Sequence, residues 1–243
     1  MVAGVGARLY PLTEDRPKCM IEVGGKSLLR RLLEQLIEVG IGRVILVTGY
    51  KADLLMEAAR SWDLPLELEE ANCPTYAIHN NAVSLGVALG ALQGQSFLLC
   101  DGDVLVRDGG LFRALLSAPG ENVLACTRFE DMGEEEMKVC LNRETGQVAL
   151  LSKELDPASA DGESLGIQKI GATALAGLRR RLAELEEEER RGLYYEDVFA
   201  ELILEGVPFQ IAEIAEGGWT EIDTVEDLEM AEALSRSWTH GAA

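Results

Sequence analysis

Near residue 4 the chain gathers two glycines, three cations and two prolines into one short run. It reads Gly4-Val5-Gly6-Ala7-Arg8-Leu9-Tyr10-Pro11-Leu12-Thr13, followed by Arg16-Pro17-Lys18. Glycine lets successive backbone N–H groups turn inward, and such a concavity attracts anions. Arg8 adds a planar fork that matches phosphate oxygens, and Lys18 adds a compact, mobile charge. Pro11 and Pro17 restrict the backbone, so both cations can be held before a ligand arrives. The run does not spell the dinucleotide fingerprint, because its third glycine is absent. The plainer reading is a glycine-rich turn with surface cations.

Carboxylates supply the complementary chemistry. Asp101 and Asp103 follow the apolar run 97–100, and Asp223 follows another strand-like segment. α/β sheets place ligands at such strand ends. Two carboxylates and several phosphate oxygens suit Mg²⁺, which prefers oxygen donors and keeps some water. An Asp at a strand end can equally form a turn or cap a helix.

These residues need rigid elements behind them. Apolar spacing predicts helices over 28–39, 54–62, 80–92, 111–116, 172–188, 195–204 and 226–234, the last with Thr224 as N-cap. Strands are expected at 43–50, 65–69, 96–100 and 122–128, in alternation with the first four helices. That order implies βαβ units and a Rossmann-like three-layer α/β sandwich with a mostly parallel central sheet. The middle differs: 137–141 and 147–151 flank a Glu144-Thr145-Gly146 turn, a small antiparallel hairpin that 166–170 could extend. A further strand is expected at 209–214. With no repeat or Pro/Ser-rich linker, a single domain over 1–243 is expected. The acidic run 184–189 reads as a solvated helix end.

Lys and Arg number 22 against 42 Asp and Glu, a net charge of −20, while apolar residues make up 47% of the chain. The core is therefore ample, and a broad electrostatic grip on nucleic acid or anionic lipid is excluded. The charge is uneven. Residues 1–43 carry seven basic and five acidic side chains, a net of +2, so the remainder carries −22. No apolar run approaches a membrane span and no secretory leader is evident, which gives the expectation of a cytoplasmic protein. Five cysteines without C-x-x-C spacing argue against a disulfide framework and a thiolate zinc site. Only His79 and His240 exist, so a histidine-built metal site or catalytic triad has little support; His79 is expected in an exposed loop. The sequence is compatible with a homo-oligomer.

The first run closely resembles the signature G-x-G-x-R-L-x-P-L-T-x-x-x-P-K of nucleotidyltransferases that activate sugar phosphates and related phospho-compounds. Val23-Gly24-Gly25-Lys26-Ser27-Leu28 is similar to the family's V-x-G-K-P-L-I, with Ser where Pro is usual. Asp101-Gly102-Asp103 and Glu221-Ile222-Asp223-Thr224 resemble its G-D and E-I-D-T. Asn80-Asn81-Ala82-Val83-Ser84-Leu85 is similar to the N-N-x-x-S-L of phosphocholine and 2-aminoethylphosphonate cytidylyltransferases. Gly162-Glu163-Ser164-Leu165-Gly166-Ile167 and Tyr194-Tyr195-Glu196-Asp197 also look like that branch.

The resemblance implies a nucleotide site of Ala3, Gly4, Gly6, Arg8, Lys18, Asn80, Ser84 and Asp101, with Arg8 and Lys18 as catalytic cations. It implies Mg²⁺ on Asp103 and Asp223, with Asp101 orienting its neighbour. It also places a lysine near the incoming phosphoryl group, for which Lys138 is the better candidate and Lys153 the other. Glu163, Tyr195, Glu196 and Asp197 complete the acceptor side, where aromatic faces and carboxylates suit an ammonium group. Two readings compete here: Tyr194 and Tyr195 can simply anchor a helix start, and Asn80 and Ser84 can cap one. The implied reaction is CMP transfer from CTP to a small amine-bearing phosphate or phosphonate. The alternatives are a hexose-1-phosphate nucleotidyltransferase using UTP, dTTP or GTP, and a catalytically silent nucleotide-sensing subunit. One departure stands out: family members usually carry a strand of about six apolar residues before the glycine loop, and here only Met1, Val2 and Ala3 precede Gly4. A start assigned too late, a truncated end, or another segment filling that place would each account for it.

Overall fold

The computed structural model describes residues 1–92, 94–128 and 133–240. In chain order the elements are β1 (Glu22–Val23), β2 (Lys26–Ser27), α1 (Leu28–Glu38), β3 (Arg43–Thr48), α2 (Ala52–Ser61), β4 (Glu67–Asn72) and α3 (Asn81–Leu89). There follow β5 (Phe97–Cys100), β6 (Val104–Val106), α4 (Gly110–Ser117), β7 (Val123–Thr127), β8 (Lys138–Leu141), β9 (Val148–Ser152) and β10 (Gly162–Ile170). The last are α5 (Ala172–Ala183), α6 (Glu187–Gly192), α7 (Tyr195–Leu204), β11 (Gln210–Glu213), β12 (Trp219–Glu221) and α8 (Val225–His240). The mixed α/β class read from the sequence is observed. Among the described residues, no helix is long and apolar enough to cross a membrane.

Sequence alone offered one domain, whereas the chain packs as two compact units. The first contains Met1–Ala77, Asp101–Phe112 and Gly217–Ala243; the second contains Ile78–Cys100 and Arg113–Glu216. Neither unit is continuous in sequence, which is why a search for linkers does not find them.

In the first unit β3 and β4 pair in parallel and β6 and β12 pair antiparallel. Residues 1–3 run extended alongside: Val2 N donates to Val47 O at 3.0 Å, Tyr50 N to Ala3 O at 3.0 Å, and Gly102 N to Met1 O at 2.9 Å. These three bonds tie the segment before Gly4 to Val47 of β3, to Tyr50 and to Gly102. Leu29 and Leu33 of α1 meet Leu46, Leu55, Met56 and Val2 in one core cluster. A second cluster joins Leu9, Ile21, Val23, Leu28, Leu105, Ile222 and Ala231. Leu9 and Ile222 are fully buried, each worth roughly 1.5–3 kcal/mol relative to exposure.

In the second unit the sheet order is β11-β7-β10-β8-β9, with β5 also on β10. β11 and β7 are parallel, and β10 runs antiparallel to β5, β7 and β8. The hairpin expected from 137–151 is present as β8–β9. The strand beside it is longer than expected, and only its start, Gly162 and Glu163, pairs with β8. The helix expected over 172–188 is two helices. Glu186 starts the second, since its N–H donates to Glu189 Oε2 at 2.9 Å and so caps a new turn. The acidic run is thus not merely solvated: Arg181 also donates to Glu189 Oε1 at 2.6 Å.

Candidate active site

The glycine run is a loop fastened at several points. Gly6 has φ 66° and ψ 44° and opens a single 3₁₀ turn, Ala7–Leu9. Leu9 N and Tyr10 N donate to Gly6 O and Ala7 O, so the first N–H groups of the turn have no acceptor within it. A Cβ on Gly6 would lie 3.0 Å from Lys18 Cβ. Glycine is therefore needed there twice, for its left-handed backbone and for the closeness of the lysine stem. Thr13 Oγ1 donates to Gly6 O at 2.9 Å and closes the loop, while buried Leu9 anchors it in the cluster that holds Ile222.

The carboxylates come from two paired strands. Glu221 of β12 is in register with Val104 of β6, and Ile222 N donates to Asp103 O at 3.1 Å. That pairing brings residues 103 and 223 side by side. Gly102 separates Asp101 from Asp103 because a Cβ there would come within 2.9 Å of Met1 O. Thr224 caps α8 as expected, with Asp227 N donating to Thr224 Oγ1 at 3.2 Å. Asp227 Oδ2 accepts from Asp223 N at 3.0 Å and Thr224 N at 2.8 Å, which fixes the backbone of Asp223.

On this frame Lys18 Nζ donates to Asp103 Oδ2 at 2.8 Å and also to Asp223 Oδ1. Arg8 Nη2 donates to Asp223 Oδ2 at 2.6 Å. Burial disfavours the Lys18 charge, but the Asp103 and Asp223 carboxylates outweigh it and hold its pKa above the usual lysine value. Oxygens of Asp103, Glu221 and Asp223 lie within 4.8 Å of one another. Glu221 belongs to the Glu221-Ile222-Asp223-Thr224 motif without being among the ligands the sequence implies. Its signal was its place two residues before Asp223 in an extended segment, where i and i+2 share a face. Although Glu221 reaches solvent, crowding of its carboxyl by protein, followed by the charges of Asp103 and Asp223, pushes its pKa up to about 8.

A divalent cation fits this donor set. Asp103 Oδ1 is buried and accepts no hydrogen bond among the described residues. The three carboxylates together offer the hard oxygen donors Mg²⁺ requires. Asp103 and Asp223, assigned to the metal from sequence, are the two that the structure brings together, with Glu221 beside them. Asp101 is half-buried, and its charge also acts on Glu221. Ala3 and Gly4 lead into the same loop. Ala3 is buried with its carbonyl on Tyr50, and a Cβ on Gly4 would meet nothing within 4 Å.

The residues expected on the acceptor side need correction. Lys138 is fully buried, and its ammonium donates to three main-chain carbonyls: Glu134 O at 2.7 Å, Glu136 O at 3.2 Å and Lys153 O at 2.7 Å. Its donors are spent on the chain and not presented to a phosphoryl group. Tyr195 is also fully buried, with its ring 5.5 Å from that of Phe199; packing, not ligand contact, accounts for it. Asp197 Oδ2 accepts from Tyr194 N at 2.8 Å at the start of α7, and Glu196 is buried. Asn80 is the N-cap of α3, accepting from Asn81 N at 2.8 Å and donating to Gly192 O at 2.8 Å. Ser84 is buried in the same helix. The capping reading therefore describes Asn80 and not Ser84, while Asp197 stands at the helix start that Tyr194 opens. His79 is not an exposed loop residue either: its side chain is 9% exposed and its Nε2 lies 3.1 Å from Glu187 Oε1. Glu163 is buried on β10, where burial and then the charge of Glu136 push its pKa up to about 7 against the opposing pull of Lys138.

A family model described as the MobA-like NTP transferase domain matches residues 1–194. A 2-aminoethylphosphonate cytidylyltransferase of Lancefieldella rimae is 26% identical over 113 residues, 46% of this chain and 45% of that protein. A UTP–glucose-1-phosphate uridylyltransferase of Haloferax volcanii is 44% identical over 57 residues, 24% of each chain. These matches span less than half the length of either relative. Among solved structures, the CTP:phosphocholine cytidylyltransferase of Streptococcus pneumoniae superposes with a TM-score of 0.78 at 23% identity, covering 96% of both chains. That likeness is one of fold: the mixed α/β architecture described above.

Proposed function

The chain belongs to the MobA-like NTP transferase domain family, and from that premise we infer that it is a Mg²⁺-dependent nucleotidyltransferase. In this reading it transfers CMP from CTP to a small amine-bearing phosphate or phosphonate and releases pyrophosphate. The observation that carries it is the Lys18 ammonium bridging Asp103 and Asp223 beside the Gly6 turn. The preference for CTP and an amine-bearing acceptor is supported by the resemblance to the Lancefieldella rimae enzyme.

An ionised oxygen of the acceptor attacks the α-phosphorus of CTP in line; a P–O bond forms as the bond to the β-phosphate oxygen breaks. No side chain has to remove a proton, because a phosphate or phosphonate oxygen is already ionised at neutral pH. Catalysis then rests on positioning and on charge placed where the transition state needs it. The N–H groups at the start of the 3₁₀ turn and the Arg8 guanidinium face the phosphate oxygens. Lys18 stands where the carboxylates and a phosphate group meet, so one ammonium serves both. Asp103 and Asp223, with Glu221, would hold Mg²⁺, which screens phosphate charge when bound.

A second reading has its own support. The Haloferax volcanii relative uses UTP and glucose 1-phosphate by its name, and the burial of Tyr195 removes an aromatic face that pointed to an amine. A pyrophosphate-release screen separates the two. CTP, UTP, dTTP and GTP are each paired with phosphocholine, 2-aminoethylphosphonate and hexose 1-phosphates at saturating Mg²⁺. Release with CTP and an amine-bearing acceptor supports the first reading. Release only with UTP or dTTP and a hexose 1-phosphate supports the second, and release with no pair defeats both.

A further inference from the structure

We propose that Tyr50 is a positioning residue for the phosphate-binding loop, clamping it at both ends so that Arg8 and Lys18 are held for the nucleotide. The proposal rests on the nucleotidyltransferase reading and adds a residue to it. Tyr50 lies just beyond the C-terminal end of β3, outside the motifs singled out in the sequence. Its main-chain N–H donates to Ala3 O at 3.0 Å, immediately before Gly4. Its phenol oxygen lies 2.7 Å from Glu14 O and 3.1 Å from Thr13 O. One hydroxyl proton serves one carbonyl at a time, so the donor is shared between the two. A single residue therefore touches the chain on each side of the segment 4–12, and Lys18 follows shortly after the second contact.

The loop needs such a clamp. Gly4, Ala7, Arg8, Tyr10, Pro11, Leu12, Glu14, Asp15 and Arg16 are all exposed. Between Gly4 and Arg16 the buried residues are Leu9 and Thr13. Leu9 anchors the middle of the loop and Thr13 ties it to Gly6. The phenol of Tyr50 ties the outgoing arm, Thr13 and Glu14, back to the end of β3 and also meets the Tyr10 side chain within the loop. The Tyr76 ring lies 6.4 Å from that of Tyr50, and the Lys51 ammonium 5.7 Å from its centre. Loss of the clamp lets the outgoing arm sample other positions, and the nucleotide must then select the competent one.

The test is Tyr50→Phe, which keeps the ring and its packing and removes only the hydroxyl. Hydrogen exchange of the backbone amides of residues 9–18 is followed in the full chain beside the amides of β3 and β4. The expected result is faster exchange in the loop with β3 and β4 unchanged. The KM for CTP with Mg²⁺ should rise roughly fivefold, as for one lost hydrogen bond, with kcat within about twofold. Loop exchange equal to that of the native chain overturns the clamp. A KM for CTP that stays put while exchange accelerates overturns its link to nucleotide binding. A fall in kcat alone, with loop exchange unchanged, also overturns it. If the native chain releases pyrophosphate from no nucleotide, the enzymatic reading fails, and the exchange experiment still decides whether Tyr50 clamps the loop.

Discussion

Lys18 Nζ donates to Asp103 Oδ2 at 2.8 Å across 85 residues of sequence. The lysine is carried by the glycine-loop segment and the aspartate by the turn after β5, so neither segment alone contains the site. The same ammonium reaches Asp223. Three separate stretches of the first unit thus converge on one charge.

Removing that aspartate charge tests the metal assignment. Asp103→Asn is expected to lower turnover on the order of a hundredfold or more, because the lost ligand acts on transition-state charge. Steady-state pyrophosphate release over a Mg²⁺ titration checks it. Near-native turnover at saturating Mg²⁺ would remove Asp103 from the metal site.

Gly6→Ala strains a left-handed backbone and sets a methyl 3.0 Å from Lys18 Cβ. The backbone strain alone costs on the order of 1–2 kcal/mol, and the displaced lysine stem moves its ammonium off Asp103 and Asp223. The expected outcome is a drop in kcat/KM for the nucleotide that exceeds the drop in thermal stability. A variant with native kcat/KM would show that this turn need not be so tight.

The protonation of Glu163 makes a pH prediction for stability. Its pKa is raised from 4.5 to about 7, by burial first and then by Glu136. Between those values the folded chain keeps a proton that the unfolded chain releases. Stability from this group therefore falls as pH rises through the window, by roughly 3 kcal/mol in all. Urea unfolding at pH 5 and pH 8 should show the loss, and Glu163→Gln should flatten it. Equal pH dependence in both proteins would contradict the assignment.

Tyr195→Ala should act on folding and not on acceptor choice. The ring is fully buried against Phe199, and emptying such a site costs about 3–5 kcal/mol. Chemical denaturation measures that loss, and Tyr195→Phe, which keeps the ring, should recover most of it. A selective rise in the acceptor KM of the phenylalanine variant, with stability unchanged, would return Tyr195 to the acceptor site.

Much of the frame was legible because it is local. The apolar spacing of 28–39 became α1 within a residue, and the β-branched run from Arg43 became β3. The Glu144-Thr145-Gly146 turn sits in the hairpin it foretold. Periodicity continues through residues 184–186, so 172–188 reads as one helix, while the structure breaks it where the Glu189 side chain caps the next turn. The two-unit packing was hidden for a different reason: each unit is assembled from separate stretches of the chain.

The sequence by itself determined which chemical groups are available and where the backbone must bend: two cations on a glycine turn, and carboxylates at strand ends. Side-chain type and local backbone preference are short-range properties, so they can be read in order along the chain. Only the tertiary structure decided which groups meet. It placed Glu221 beside Asp103 and Asp223, put Tyr50 against the carbonyls of Thr13 and Glu14, and withdrew Lys138 and Tyr195 into the interior. Tyrosine and lysine are as able to pack or bond internally as to bind a ligand. The outcome depends on which strands and helices cover them, and that depends on residues far away in the chain.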